Sequence, residues 1–281
     1  MTASRRLSLG LYRQVTNWLL PIGVQDMLLR SGKRMTGTRF VFLACFPKSG
    51  STLLSESLNS LPGWKRLSSI PPDWTREQEP IHEYIAREWI AVGKNIIFKN
   101  HVSHSDYLSW LLEYYRMHCC FLVRNIADVC CSLSDHFDQE STTLPFVTLD
   151  TPQLTKIDNQ DARARFIIDL AIPWYVNCYA SWMKYISNGG QCQIIRYEDL
   201  AEDTIDTVGR VVSAIGIQHS DDEVRSAVVR ATSLPNRSRL NVGIVGRGHE
   251  YLDRNPLAEA TIRRYISYYP DIDFSPVFNN S

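Results

Sequence analysis

The chain lacks several things that would each point to a function. It has no excess of charge: 30 Lys and Arg stand against 30 Asp and Glu. That balance removes the basic footprint of a nucleic-acid binder and gives no global attraction for a polyanion. No window is long and apolar enough to cross a membrane, and no apolar signal core precedes a small-residue cleavage site. There is no internal repeat, low-complexity tract or linker. The seven cysteines, an odd number with two adjacent pairs, show neither a Cys-x-x-Cys nor a Cys/His metal spacing. They read as small buried residues kept reduced, which predicts a cytoplasmic protein with no metal site. The nucleoside-triphosphate pattern Gly-x4-Gly-Lys-Ser/Thr is missing too.

What is present is an ordinary globular composition, 44% hydrophobic and 21% charged, enough for a sizeable core. Arg39 to Phe46 is an uninterrupted apolar run, as expected of a strand buried on both faces. Further strands are predicted over Asn95–Lys99, Cys119–Val123 and Gln191–Arg196. Helices are predicted from Ser51 to Leu61, over Glu77–Val92, over Ser105–His118 capped by Ser103, and over Ile126–Phe137. Others follow over Asp161–Ile186 with a bend at Pro173, over Asp203–Ile215 and Asp221–Ala231, and over Pro256–Tyr268. Trp64–Trp74, Phe137–Asn159 and Thr232–His249 read as loops. Strands alternating with helices predict one α/β domain over residues 39–281: a P-loop-like parallel sheet with helices on both faces. Residues 1–38 are predicted to form a separate N-terminal helical segment. Its apolar stripe (Leu7, Leu11, Val15, Trp18, Leu19, Ile22) flanked by Arg5, Arg6 and Arg13 suits packing on the domain or a peripheral membrane contact.

The polar clusters all fall at predicted strand ends, where open parallel sheets bind ligands. The first is Lys48, Ser49, Gly50, Ser51 and Thr52, a small-residue turn between the buried strand and a helix N-terminus. Free N–H groups, the positive end of the helix dipole, hydroxyls and a lysine suit phosphate or sulfate oxygens. The same pattern also serves as a plain strand–loop–helix connection. The second cluster is Arg124-Asn125, with Ser132 eight residues on, about two helical turns, so both can face one phosphate. The third is Lys99-Asn100-His101, and the fourth is Tyr197-Glu198-Asp199.

In this order, Pro-Lys-Ser-Gly-Ser-Thr after a buried strand resembles the loop with which sulfotransferases hold the 5′-phosphosulfate of 3′-phosphoadenosine 5′-phosphosulfate (PAPS). Val-Arg-Asn-x-x-Asp-Val-x-x-Ser over 123–132 resembles their 3′-phosphate segment, which assigns that role to Arg124 and Ser132. The family's Lys-x-His supplies its general base, which nominates His101, with Lys99 near the transferred sulfonate; His104 and His136 are rivals. Tyr197 matches the tyrosine beside the adenine, and Thr232-Ser233-Leu234 matches a Thr-Ser-Phe flanking the base. Gly243-Ile-Val-Gly246 matches the late Gly-x-x-Gly loop that closes over the 3′-phosphate. The sequence departs from the family where Asn241-Val242 replaces the usual Arg-Lys, so Arg237, Arg239 or Arg247 stands in for that contact. Leu53 also replaces the tryptophan that often stacks on adenine. The resemblance spans about Phe40 to His249.

The resemblance implies sulfuryl transfer from PAPS as co-substrate to a hydroxyl, less readily an amine, without a metal. His101 is the base, with a histidine's unperturbed pKa of about 6.5 suited to that task. Lys48 stabilises the departing phosphate oxygen, and Lys99 steadies the sulfonate. Two other classes stay open on the residues alone. A small-metabolite kinase would need a lysine after the glycine, and a non-catalytic nucleotide-binding protein would bind PAP without turnover. The acceptor (small molecule, lipid or carbohydrate) should meet the loops Trp64–Gln78 and Phe137–Asn159. The family's animal dimerisation motif is absent, which leaves the oligomeric state open.

Overall fold

Phe40–Cys45, six consecutive buried residues, form β1 at the centre of a parallel sheet. In this computed structural model of the protein, residues 37–67, 94–137, 142–144, 147–149, 160–233 and 245–278 are described. β1 lies between β3 (Asn95–Asn100) and β4 (His118–Val123). Outside them pair β2 (Trp64–Leu67) and β7 (Gln193–Arg196), giving the order β2-β3-β1-β4-β7 with every pair parallel. Alternation along β1 divides the interior in two. Phe40, Phe42 and Ala44 face one core, and Val41, Leu43 and Cys45 the other. Helices cover both faces, so the predicted two-sided α/β architecture holds.

On one side lie α2 (Asp106–Tyr114), α3 (Ile126–Phe137) and α5 (Ile172–Ser187). The other side carries α1 (Ser51–Asn59), α6 (Tyr197–Glu202), α7 (Thr204–Ala214) and α8 (Asp221–Thr232). The first core is strongly aromatic: Trp182 stacks on Phe121 at 5.4 Å, and Phe46 meets Tyr175 edge-on at 4.9 Å. Such pairs pin ring orientations as well as burying area.

Several elements differ from expectation. Trp64–Leu67 is a strand, not a loop. The segment read as the loop 137–159 contains a small antiparallel hairpin, β5 (Thr142–Leu144) with β6 (Val147–Leu149). The helix cap is Ser105, which accepts from Leu108 N–H, rather than Ser103. That helix ends at Tyr114, ahead of Arg116, which turns left-handed at φ 46°. The long predicted helix is instead α4 (Gln160–Phe166), a π-helical stretch Ile167–Ala171, and α5. Pro173 has no N–H to return to an earlier carbonyl, and the wider π turn just before it absorbs the mismatch. A short helix, α9 (Gly248–Arg254), begins inside the predicted loop 232–249, and α10 (Pro256–Ile266) follows it.

All seven cysteines are thiols. Cys119 and Cys192 meet with their sulfurs 2.9 Å apart, and burial pushes the Cys119 thiol pKa up. The expected helix Glu77–Val92 and residues 1–36 of the N-terminal segment lie outside the described residues. Among those described, no helix is long and apolar enough to cross a membrane.

Candidate active site at the carboxyl edge of the sheet

Past Cys45 the chain leaves β1 through Phe46-Pro47 and turns twice through left-handed backbone, at Lys48 (φ 64°) and Gly50 (φ 79°). Glycine takes that conformation readily, but for lysine it costs on the order of 1 kcal/mol or more. The surroundings hold the strained turn in place. The Ser49 hydroxyl donates to Phe46 O at 2.6 Å, and the fully buried Tyr175 hydroxyl donates to Pro47 O at 3.1 Å. Burial pushes the Tyr175 pKa up, keeping the donor protonated. Gly50 then serves as N-cap of α1, and no side chain caps that end. The result is a curled backbone leading into a bare helix N-terminus, a fitting concavity for an anion. Ser51 is buried and Thr52 half-buried in the first turn. Ser49 contributes its hydroxyl to the turn itself rather than to the concavity.

Arg124, at the end of β4, is 7% exposed and knits three segments together. Its Nη1 donates to Lys48 O at 3.0 Å, and its Cζ sits 4.1 Å above the Tyr197 ring. Nη2 lies 3.9 Å from Asp128 Oδ2. A guanidinium gripped through hydrogen bond, ring face and carboxylate loses little further freedom on meeting a phosphate. The neighbouring Asn125 caps α3 through Oδ1, which accepts from Ala127 N–H at 2.9 Å. Its own N–H donates to Glu198 Oε1 at 3.0 Å. Ser132, two turns along α3, is buried.

On the other side of β1, the register Leu43↔Lys99 and Ala44↔Asn100 carries His101 next to Cys45. His101 Nδ1 is 2.9 Å from Cys45 O and 3.3 Å from its Sγ. A carbonyl can only accept, so Nδ1 carries a proton, and in the neutral ring the lone pair is then on Nε2. That is the tautomer a general base needs. Lys99 is 8% exposed, and Asn100 is fully buried.

The sheet therefore brings Lys48, Gly50, Ser51, Thr52, Lys99, His101, Arg124 and Tyr197 to one edge. Tyr197 is only 4% exposed and packs beneath Gly50 and Arg124, a supporting ring. Thr232 is exposed at the end of α8, its hydroxyl bonded back to Val228 O and Val229 O at 3.0 Å. Arg247 reaches Asp135 Oδ2 at 2.7 Å, and that bond holds its proton more tightly than usual. Of the rival histidines, His104 is engaged by Ser109 Oγ at 2.8 Å and stacked on Tyr185 at 4.2 Å. The His136 side chain, Leu234, Gly243, Arg237 and Arg239 lie outside the described residues. So do the acceptor loops, apart from the two hairpin strands and Trp64–Leu67.

Sequence reading missed Tyr175, and it gave Asp128, quoted within the 123–132 pattern, no role of its own. Nothing marks a tyrosine in a long helix as a loop anchor. An aspartate in a first helical turn reads as a dipole partner, which hid what its carboxylate accepts.

The sequence model of the sulfotransferase domain matches residues 39–243. A flavonol 4′-sulfotransferase from Flaveria chlorifolia is 23% identical over 258 residues, covering 86% of this chain and 77% of that enzyme. Among solved structures, mouse sulfotransferase SULT7A1 complexed with PAP superposes with a TM-score of 0.60 at 17% identity, covering 85% of this chain and 86% of that one.

Proposed function

Because the chain belongs to the sulfotransferase family, we propose that it moves the sulfuryl group of PAPS to the hydroxyl of a small molecule. The flavonol named for its plant relative makes a small hydroxyl-bearing acceptor the first class to test, ahead of a lipid or a sugar. One observation carries the cofactor assignment. Arg124, nominated for the 3′-phosphate, donates to the backbone of Lys48, nominated for the 5′-phosphosulfate. A ligand with phosphates at both ends of one nucleoside fits an arginine and an N–H-rich turn tied together in this way.

PAPS, when bound, supplies a sulfuryl group whose S–O bond to the 5′-phosphate breaks as the acceptor oxygen bonds to sulfur. His101 takes the acceptor's proton at Nε2, the nitrogen left basic by the Nδ1–H bond to Cys45 O. Lys48, the Ser51 and Thr52 hydroxyls and the N–H groups of the turn neutralise charge gathering on the departing phosphate oxygen. Lys99 steadies the sulfonate oxygens. Arg124 and Ser132 hold the 3′-phosphate, and the buried aromatic core behind Phe46 keeps the turn from relaxing. As in phosphoryl transfer, most of the acceleration then comes from positioning and electrostatics.

Calorimetric titration tests this directly, with PAP as ligand and Mg·ATP as competitor, on the wild type and on Arg124→Ala and His101→Ala. Tight PAP binding that needs Arg124 but not His101 supports the reading. A protein that ignores PAP and binds Mg·ATP refutes it and makes the kinase alternative the working one.

A further inference from the structure

Residues 246–248 are fastened along one face of α3 by two carboxylates about two helical turns apart. Asp128, 3% exposed, accepts Gly246 N–H on Oδ2 at 2.8 Å and Gly248 N–H on Oδ1 at 2.6 Å. Asp135 takes the intervening Arg247 at 2.7 Å. The fit leaves no room for a side chain at 248. A Cβ there would stand 2.5 Å from Asp128 N and 2.6 Å from Ala127 Cβ. The same Asp128 Oδ2 that holds Gly246 lies 3.9 Å from Arg124 Nη2. A buried carboxylate is costly unless its oxygens are answered by donors. Here both are answered, by the two backbone groups and by the guanidinium beside them.

We propose that Asp128 is a positioning residue for recognition of the 3′-phosphate, setting the place of Arg124 and of the end of the late glycine loop together. This rests on the reading that Arg124 and Ser132 receive that phosphate. A negative charge next to an anion site would, taken alone, weaken phosphate binding. Its use must lie in geometry: it keeps the arginine and the loop backbone in a fixed relation before the ligand arrives. Loss of Asp128 then removes affinity belonging to the 3′-phosphate and leaves the rest of the nucleotide's affinity in place.

The test compares PAP with 5′-AMP, which differs only in lacking the 3′-phosphate, on the full chain and on Asp128→Asn and Asp128→Glu. The ratio of the two dissociation constants reads the 3′-phosphate contribution. In the wild type a two-partner charged contact should give a ratio of about 100-fold or more. Asp128→Asn keeps one acceptor oxygen but turns an NH2 toward a backbone N–H. It should cut the ratio by about tenfold or more while AMP affinity stays within about twofold, and Asp128→Glu should restore part of it. A ratio that is unchanged or rises in Asp128→Asn, or PAP and AMP weakened equally, overturns the proposal. A wild-type ratio near one refutes instead the assignment of Arg124 to the 3′-phosphate. Should Asp128→Asn fail to fold, Gly248→Ala pushes the loop off the same face from the other side. It must then lower the ratio in the same selective way, and an unaltered ratio there also overturns the proposal.

Discussion

Gly50 lies against the edge of the Tyr197 ring: a Cβ built on the glycine would stand 2.8 Å from Tyr197 Cδ2 and 2.9 Å from Cε2. The same residue has a φ of 79°, where a side chain is strained whatever the space. Gly50→Ala therefore meets two independent penalties. The left-handed backbone costs about 1–2 kcal/mol, and the ring must give way for a similar amount. Denaturant midpoints should report a loss of roughly 2–4 kcal/mol, with PAP binding weakened as well. Adding Tyr197→Leu relieves the clash but not the backbone, so the double variant should regain only part of the loss. Complete recovery would show that the left-handed turn matters little.

His101 offers a cleaner separation of binding from chemistry. Its Nδ1 is committed to Cys45 O, so replacing the ring by alanine tests the proposed Nε2 base apart from the phosphate contacts proposed for Arg124 and the Lys48 turn. The turnover rate should fall by about 10²–10⁴, while the calorimetric PAP affinity changes by less than about twofold. His104, bonded to Ser109 and stacked on Tyr185, should tolerate replacement in turnover. A His104 variant as inactive as the His101 variant would reassign the base.

The candidate site residues Lys48, Lys99, His101 and Arg124 were legible in the sequence because each sits where a buried strand must stop. β1 is apolar throughout and β4 is apolar from Cys119 on, and the abrupt change to Lys48 and to Arg124 marks their ends. β2 was not legible. Trp64-Lys65-Arg66-Leu67 is an edge strand, with a charged residue exposed and another half-buried between two buried apolar ones, and four residues give no readable period. α9 was hidden for a different reason. Its start is a Gly248 that exists to let the backbone touch Ala127 and Asp128, and glycine among arginines reads locally as loop. Ser103 and Ser105 are equally good caps by composition, and only the geometry of Leu108 N–H chooses between them.

Burial makes His104 a pH-sensitive part of the fold. Removal from water holds its pKa below the ordinary value of 6.5, opposed only in part by Asp106. A histidine with a lowered folded pKa binds fewer protons folded than unfolded. Its contribution is thus present above about pH 6.5 and is lost as pH falls through that value and below. Urea midpoints measured at pH 7.5 and 5.5 should differ less in His104→Phe, which keeps a ring on Tyr185 but cannot take up a proton. Equal pH differences in the two proteins would count against His104 as a contributor.

The last prediction concerns how β2 is held at the sheet edge. Glu56 on α1 is 2% exposed and receives Arg66 Nη1 at 3.0 Å and Asn59 Nδ2 at 3.2 Å. Asn59 Oδ1 in turn accepts Arg66 N–H at 2.8 Å. Helix and strand are thus joined through one carboxylate and one amide, both on the helix whose N-terminus follows the Lys48–Gly50 turn. Removing Arg66 weakens the support of a buried charge, which costs more than the pair is worth on balance. Arg66→Ala should lower stability by about 1–3 kcal/mol. Pairing it with Glu56→Gln, which removes the charge, should restore part of that, a coupling that a double-mutant cycle reads directly. Strictly additive effects would show that the ion pair contributes nothing of its own and that β2 is held by the Asn59 amide and by sheet pairing with β3.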